Sequence, residues 1–141
     1  MDLSVRTNSL WSPNRRFANV GLEVDIEGGR PEGSRLSVDV FSDERARSWF
    51  FGDALLFRGK LLLRKTRSGR GDGRVYLVVV TLTESDGTET SEAITVTVPK
   101  SRSEADLDDV AEQAEDAKAH FDDNDGDIPD GFRRVSRSCR L

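Results

Sequence analysis

At 141 residues the chain has length for one packed domain with an appendage, and its 35% hydrophobic and 33% charged composition fills one core only if the apolar residues are concentrated. They are, between residues 17 and 98. A single cysteine, Cys139, excludes an internal disulfide and a cysteine-built zinc site, and a single histidine, His120, leaves little for a His-rich metal centre or a Ser–His–acid triad.

The net charge of −5 is unevenly spread. Residues 1–102 carry 16 Lys/Arg and 14 Asp/Glu, residues 103–131 carry 12 acids against Lys118 alone, and the last ten residues hold Arg133, Arg134, Arg137 and Arg140 with no acid. A near-neutral body, an acidic segment and a basic tail are expected. No basic face is built into the body, so nucleic acid is not an expected partner. The opening MDLSVRTNS lacks the apolar run of a signal peptide. No stretch approaches the roughly 20 apolar residues of a membrane-spanning helix.

In chain order, the dominant period is two. Val20, Leu22, Val24 and Ile26 alternate with polar residues and predict a half-buried strand; Leu36, Val38 and Val40 predict a second. The segment 44–58 is less regular, and SWFFGDALLF reads as a crossover plus a short strand. KLLLRKT (60–66) and RVYLVVVTLTE (74–84) predict two more strands, and residues 93–98 alternate again before Pro99 stops them. Turn residues fall between these runs, at GGRPEG (28–33), SGRGDG (68–73) and SDGT (85–88). Short strands with such breaks predict an antiparallel β-sandwich over residues 1–100. The period then changes. Ser103 with Asp106 three residues on predicts an N-cap, and Ala105, Leu107, Val110, Ala111, Ala114, Ala117 and Phe121 predict an acidic amphipathic helix over 101–121, anchored by Leu107 and Phe121. Residues 122–141 complete the chain as an Asp-rich loop and basic tail.

The glycine cluster of SGRGDGRVY admits three readings. A phosphate cradle needs a helix after the glycines, and here Arg74, Val75 and Tyr76 begin a strand. An Arg70-Gly71-Asp72 display tripeptide would sit at an exposed tip. A hairpin turn needs glycines in any case, and it is the favoured reading.

Three blocks in order resemble bacterial surface and secreted Ig-like modules related to the polycystic-kidney-disease and hyalin-repeat types. They are Ser9-Leu10-Trp11-Ser12-Pro13-Asn14-Arg15, then Leu62 to Tyr76 (LLRKTRSGRGDGRVY), and finally Thr95-Val96-Thr97-Val98-Pro99-Lys100. The resemblance covers residues 2 to about 100 and implies an Ig-like fold at an extracellular or cell-surface location. It implies that Trp11 packs at a sandwich end, that Pro13-Asn14 shape the turn into the next strand, and that Arg67 or Arg74 braces the hairpin. Two histidines of that family are Arg15 and Lys100 here, so no histidine-borne role carries over.

DDNDGDIPDGF (122–132) is similar to the Asp-rich calcium repeats of thrombospondin type 3 linkers. Calcium takes about six to eight oxygens from carboxylates on alternate residues, and Asp123, Asp125, Asp127 and Asp130 offer such oxygens. Calcium is therefore the one cofactor expected, against a plain solvated acidic linker.

No nucleophile–base pair or metal-ligand spacing marks an enzyme. The expected class is a non-catalytic Ig-like module, a structural or adhesion unit that meets other domains or copies of a surface assembly. The alternatives are a carbohydrate-binding module with Trp49, Phe50 and Phe51 as its aromatic platform, or a self-assembling virion or filament subunit.

Overall fold

A computed structural model describes residues 1–45, 52–69, 71–136 and 139–140. It is mainly β, an Ig-like antiparallel sandwich with one C-terminal helix. The larger layer is built on β4 (Arg35–Ser42), β7 (Arg74–Thr83) and β8 (Glu89–Val98), in that order. The facing layer comprises β2 (Phe17–Asn19), β6 (Lys60–Arg64) and β5 (Ala54–Phe57), joined by the ribbon of β1 (Asp2–Ser4) and β3 (Glu23–Asp25). Between the layers lie Leu36, Val38 and Val40 of β4, Tyr76, Val78 and Val80 of β7, Val96 and Val98 of β8, and Leu61 and Leu63 of β6. These are the alternate residues of each strand, as a one-sided core requires.

β7 departs from that alternation because both of its faces are covered. Val75, Leu77 and Val79 point away from the sandwich core and meet α1 (Glu104–Asp123) through Val110, Ala114 and Phe121. A strand buried on both sides reads as an unbroken apolar run, and VYLVVV is that run. The predicted N-cap is present: Asp106 N–H donates to Ser103 Oγ at 3.2 Å. Phe121 is the anchor expected of it, but Leu107 remains 37% exposed, and Val110 takes its place on the buried stripe.

Three expectations change. The predicted strand over residues 20–26 is broken at Gly21, which has φ +68 and lies so close to Arg6 that a Cβ would sit 2.4 Å from Nε; only Glu23–Asp25 is strand there. The glycine cluster at 68–73 is not a hairpin. It carries the chain from β6 in one layer to β7 in the other, while the hairpin of the smaller layer is β5–β6, turned through Arg58 and Gly59. The basic tail is built into the fold: β9 (Arg133–Arg134) and β10 (Cys139–Arg140) add to the free side of β4. Between them Val135 enters the core, donating its N–H to Val40 O at 2.9 Å and accepting from Asp53 N–H at 3.0 Å. The tail thus ties the two layers together at one end.

Among the described residues no helix is long and apolar enough to cross a membrane.

Candidate functional site

The densest polar chemistry in the interior gathers where β6, the glycine crossover and β7 meet. Arg74, the first residue of β7, is fully buried. Its Nε donates to Ser42 Oγ at 2.8 Å, one terminal nitrogen donates to Asp53 Oδ2 at 2.7 Å and Thr66 O at 3.4 Å, and the other donates to Glu44 O at 3.3 Å. Asp53 is equally buried, and its second oxygen accepts from Arg64 Nε at 3.0 Å. One carboxylate therefore bridges two guanidinium groups. Each arginine also stacks on an aromatic ring, Arg74 on Tyr76 at 4.4 Å and Arg64 on Phe17 at 4.3 Å. Tyr76 donates its hydroxyl to Arg64 O at 2.7 Å. Burial pushes the Tyr76 phenol well above its ordinary value, which keeps it a neutral donor.

A planar guanidinium with donors in a fixed fork suits this task, because several acceptors can be met at once. The arrangement spends Arg74 on internal acceptors and leaves a brace. The other arginine of the crossover does similar work: Arg67 donates to Pro99 O at 3.3 Å and Lys100 O at 2.7 Å. The three sequence blocks are thereby joined pairwise. Arg64 reaches Arg15 O at 2.9 Å, Arg67 reaches Pro99 and Lys100, and Leu10 N–H donates to Thr97 O at 2.7 Å. Asn14 shapes its turn as expected, accepting from Arg16 N–H at 3.0 Å. Trp11 does not pack at the sandwich end; it is 37% exposed beneath Arg102, and Leu10 beside it is the buried plug. Gly73 closes the crossover with φ +105, and a Cβ there would lie 2.9 Å from Val110 Cγ2. The last glycine of the motif is needed for the helix to approach.

The Asp-rich segment forms the end of the helix. Asp123 is its last residue, Asn124 caps it by donating to His120 O at 2.8 Å, and Gly126 N–H donates to Phe121 O at 2.9 Å. Asp125 takes φ +53, Asp127 Oδ2 lies 3.0 Å from His120 Nε2, and Asp130 is exposed in the turn closed by Phe132 N–H on Pro129 O. Among the described residues no three His, Cys, Asp or Glu side chains are grouped to hold a metal ion. Trp49, Phe50 and Phe51 lie outside the described residues, as does Arg70 of the tripeptide.

A cavity of about 350 Å³ opens between the helix and the 129–132 turn, lined by Asp43, Gln113, Asp116, Ala117, His120, Pro129 and Phe132. Burial raises the Asp43 carboxyl above its ordinary 3.8, although Val75 N–H, which donates to Oδ1 at 3.0 Å, and the nearby Arg74 pull the other way. The folded state thus favours protonated Asp43. The associated stability is complete below pH 3.8 and is lost as pH rises through the higher folded value. Asp43→Asn keeps an acceptor for Val75 and cannot ionise. It is expected to gain stability over the parent at neutral pH, with the gain shrinking toward acid pH in urea melts run across that range.

Sequence reasoning named Arg67 or Arg74 as a brace but missed Ser42, Asp53 and Thr66, the partners of Arg74. Asp53 carried one faint signal, a lone acid between Gly52 and the apolar ALLF run. The fold and the clamp together define an Ig-like antiparallel sandwich module with a helix on its outer face. The chain matches no family model, no curated protein and no solved structure.

Proposed function

We propose that the chain is a non-catalytic Ig-like module, a structural or adhesion unit of an extracellular or cell-surface assembly. The observation that supports this most is the fate of Arg74: the central cation of the most distinctive motif is fully buried and bonded to Ser42, Asp53, Thr66 and Glu44 of its own chain. Residues that would be aimed outward in a binding loop or catalytic cleft are directed inward here, as bracing demands. The pairwise joining of the three blocks has the same sense, since residues that tie one end of a sandwich together serve a unit that must keep its shape. The extracellular setting comes from the resemblance of those blocks to surface modules.

The test is a thermal-shift and calorimetric panel on the whole chain with calcium, nucleotides and a set of polysaccharides. A structural unit gives no saturable shift with the nucleotides or the sugars. A saturable polysaccharide shift that disappears in Trp49→Ala replaces this reading with the carbohydrate-binding one.

A further inference from the structure

The large sheet has two edges, and the chain treats them differently. The β4 edge is covered by the tail strands β9 and β10. Among the described residues the β8 edge is hydrogen-bonded only at its C-terminal end, although β1 also packs near the strand. There the N-terminal segment runs parallel to it at Ser9↔Thr97, with Leu10 N–H donating to Thr97 O at 2.7 Å and Thr97 N–H to Asn8 O at 2.9 Å. Thr97 therefore turns its backbone groups away from β7. The β7–β8 register is unbroken from Arg74↔Val98 to Thr83↔Glu89, so alternation turns those of Thr95, Ala93, Ser91 and Glu89 the same way. The 2.9 Å contact between Thr81 Oγ1 and Ser91 Oγ agrees, since side chains approach most closely at such non-hydrogen-bonded pairs. Beyond Thr97 nothing among the described residues pairs with this outward row. It forms an open template about 20 Å long.

The chemistry beside the template has one sign. A groove of about 680 Å³ runs between β8 and the end of α1, floored by Phe121 and Gly126 and bordered by Glu89, Glu92, Asp122 and Asp125. Asp122 holds Lys118 at 2.5 Å, whereas Glu89, Glu92 and Asp125 have no cation within ion-pair distance among the described residues. The groove also faces the C-terminal end of a helix, where the dipole favours cations. Antiparallel pairing of this edge with a second copy of itself would set two edges bordered by Glu89 and Asp125 beside each other without supplying a cation to either.

We infer that the Glu89–Thr95 edge of β8 accepts an extended segment of a partner protein carrying Lys or Arg at alternate positions. The segment continues the sheet, and its helix-side cations enter the acidic groove. This is strand addition with charge supplying the selectivity. It rests on the proposed role as an assembly unit and names the chemistry of the neighbour.

The probe is an acetylated peptide alternating lysine and threonine, about eight residues long, titrated into the full chain by calorimetry. Two companions are a peptide with glutamate for lysine and a lysine peptide with alternate backbone amides methylated. Saturable binding of the first is expected, weakening as salt is raised, with both companions bound about tenfold or more weakly. Ser91→Pro blocks the edge without removing a β7 hydrogen bond, because its N–H faces outward; Glu89→Lys reverses the groove charge at an exposed site. Both are expected to lose binding by about tenfold, and should Ser91→Pro fail to fold, Glu89→Lys decides alone. Equal binding of the methylated peptide, or no saturation by the lysine peptide, overturns the inference. So does sedimentation of a parent dimer that Glu89→Lys abolishes, which would assign the edge to a second copy. None of these results touches the polysaccharide panel, so the structural reading stands or falls separately.

Discussion

Replacing Arg74 with methionine is expected to lower the stability of the folded chain by about 3–5 kcal/mol, the usual cost of removing one partner from a buried ion pair. Methionine fills much of the same volume, so the loss reports the bonds rather than a cavity. Asp53 would keep Arg64, which lies at its other oxygen, but the oxygen facing Arg74 would be buried without its cation. The Thr66 and Glu44 carbonyls would lose the Arg74 donor in the same step, and Ser42 Oγ would keep only Glu44 N–H. The thermal midpoint is expected to fall by about 10 °C or more. Arg74→Lys should recover little, because an ammonium cannot reach Ser42, Asp53 and Glu44 together in one plane. A methionine variant as stable as the parent would mean that Arg74 is held for some purpose other than bracing, as residues of binding sites often are.

Phe121→Ala carries the second large effect, about 3–5 kcal/mol for an aromatic truncated in a packed interior. Phe121 is 3% exposed and packs against Leu77, Val79 and Ala93 on the outer face of the large sheet. The helix has only Val110, Ala114 and Ala117 besides it on the buried stripe. A helix this poor in large apolar residues depends on its dock, so its circular-dichroism signal and the unfolding of the sheet are expected to shift together in one transition. Leu107→Ala, at a half-exposed position, should change stability by no more than about 0.5 kcal/mol. Loss of the helical signal well below an unchanged sheet transition would make the helix a separate appendage.

How much of this was legible in the sequence depends on how local the cause is. The strand alternation of Leu36, Val38 and Val40, the cap at Ser103 and the anchor at Phe121 are set by neighbours within a few residues, and all are present in the fold. The glycine cluster was misread because a turn looks the same from sequence whether it joins two strands of one sheet or crosses between layers. Only the pairing of β6 with β2 and β5, and of β7 with β4 and β8, distinguishes the two. Leu107 fits the helical period as well as Val110 does, but it is Val110 that lies against Gly73 in the fold. Asp53 offered no more than that faint signal for a similar reason: its partners, Arg64 and Arg74, lie 11 and 21 positions away. The tail read only as a basic segment because Arg133 and Arg134 are exposed, and its contribution to the fold comes through backbone pairing and through Val135. In the Asp-rich segment the density of carboxylates is legible residue by residue, whereas only the fold shows Asn124 and Gly126 ending a helix.

The most direct measurement is a urea-denaturation cycle over the parent, Asp53→Asn, Arg74→Met and the double variant. If the motif exists to clamp the two layers, the pair must act as a unit, so the double variant loses less than the summed single losses by about 1–3 kcal/mol. Single losses that add without remainder would show the two side chains to be energetically independent, and the account of this chain as a module braced by its own arginine motif would not hold.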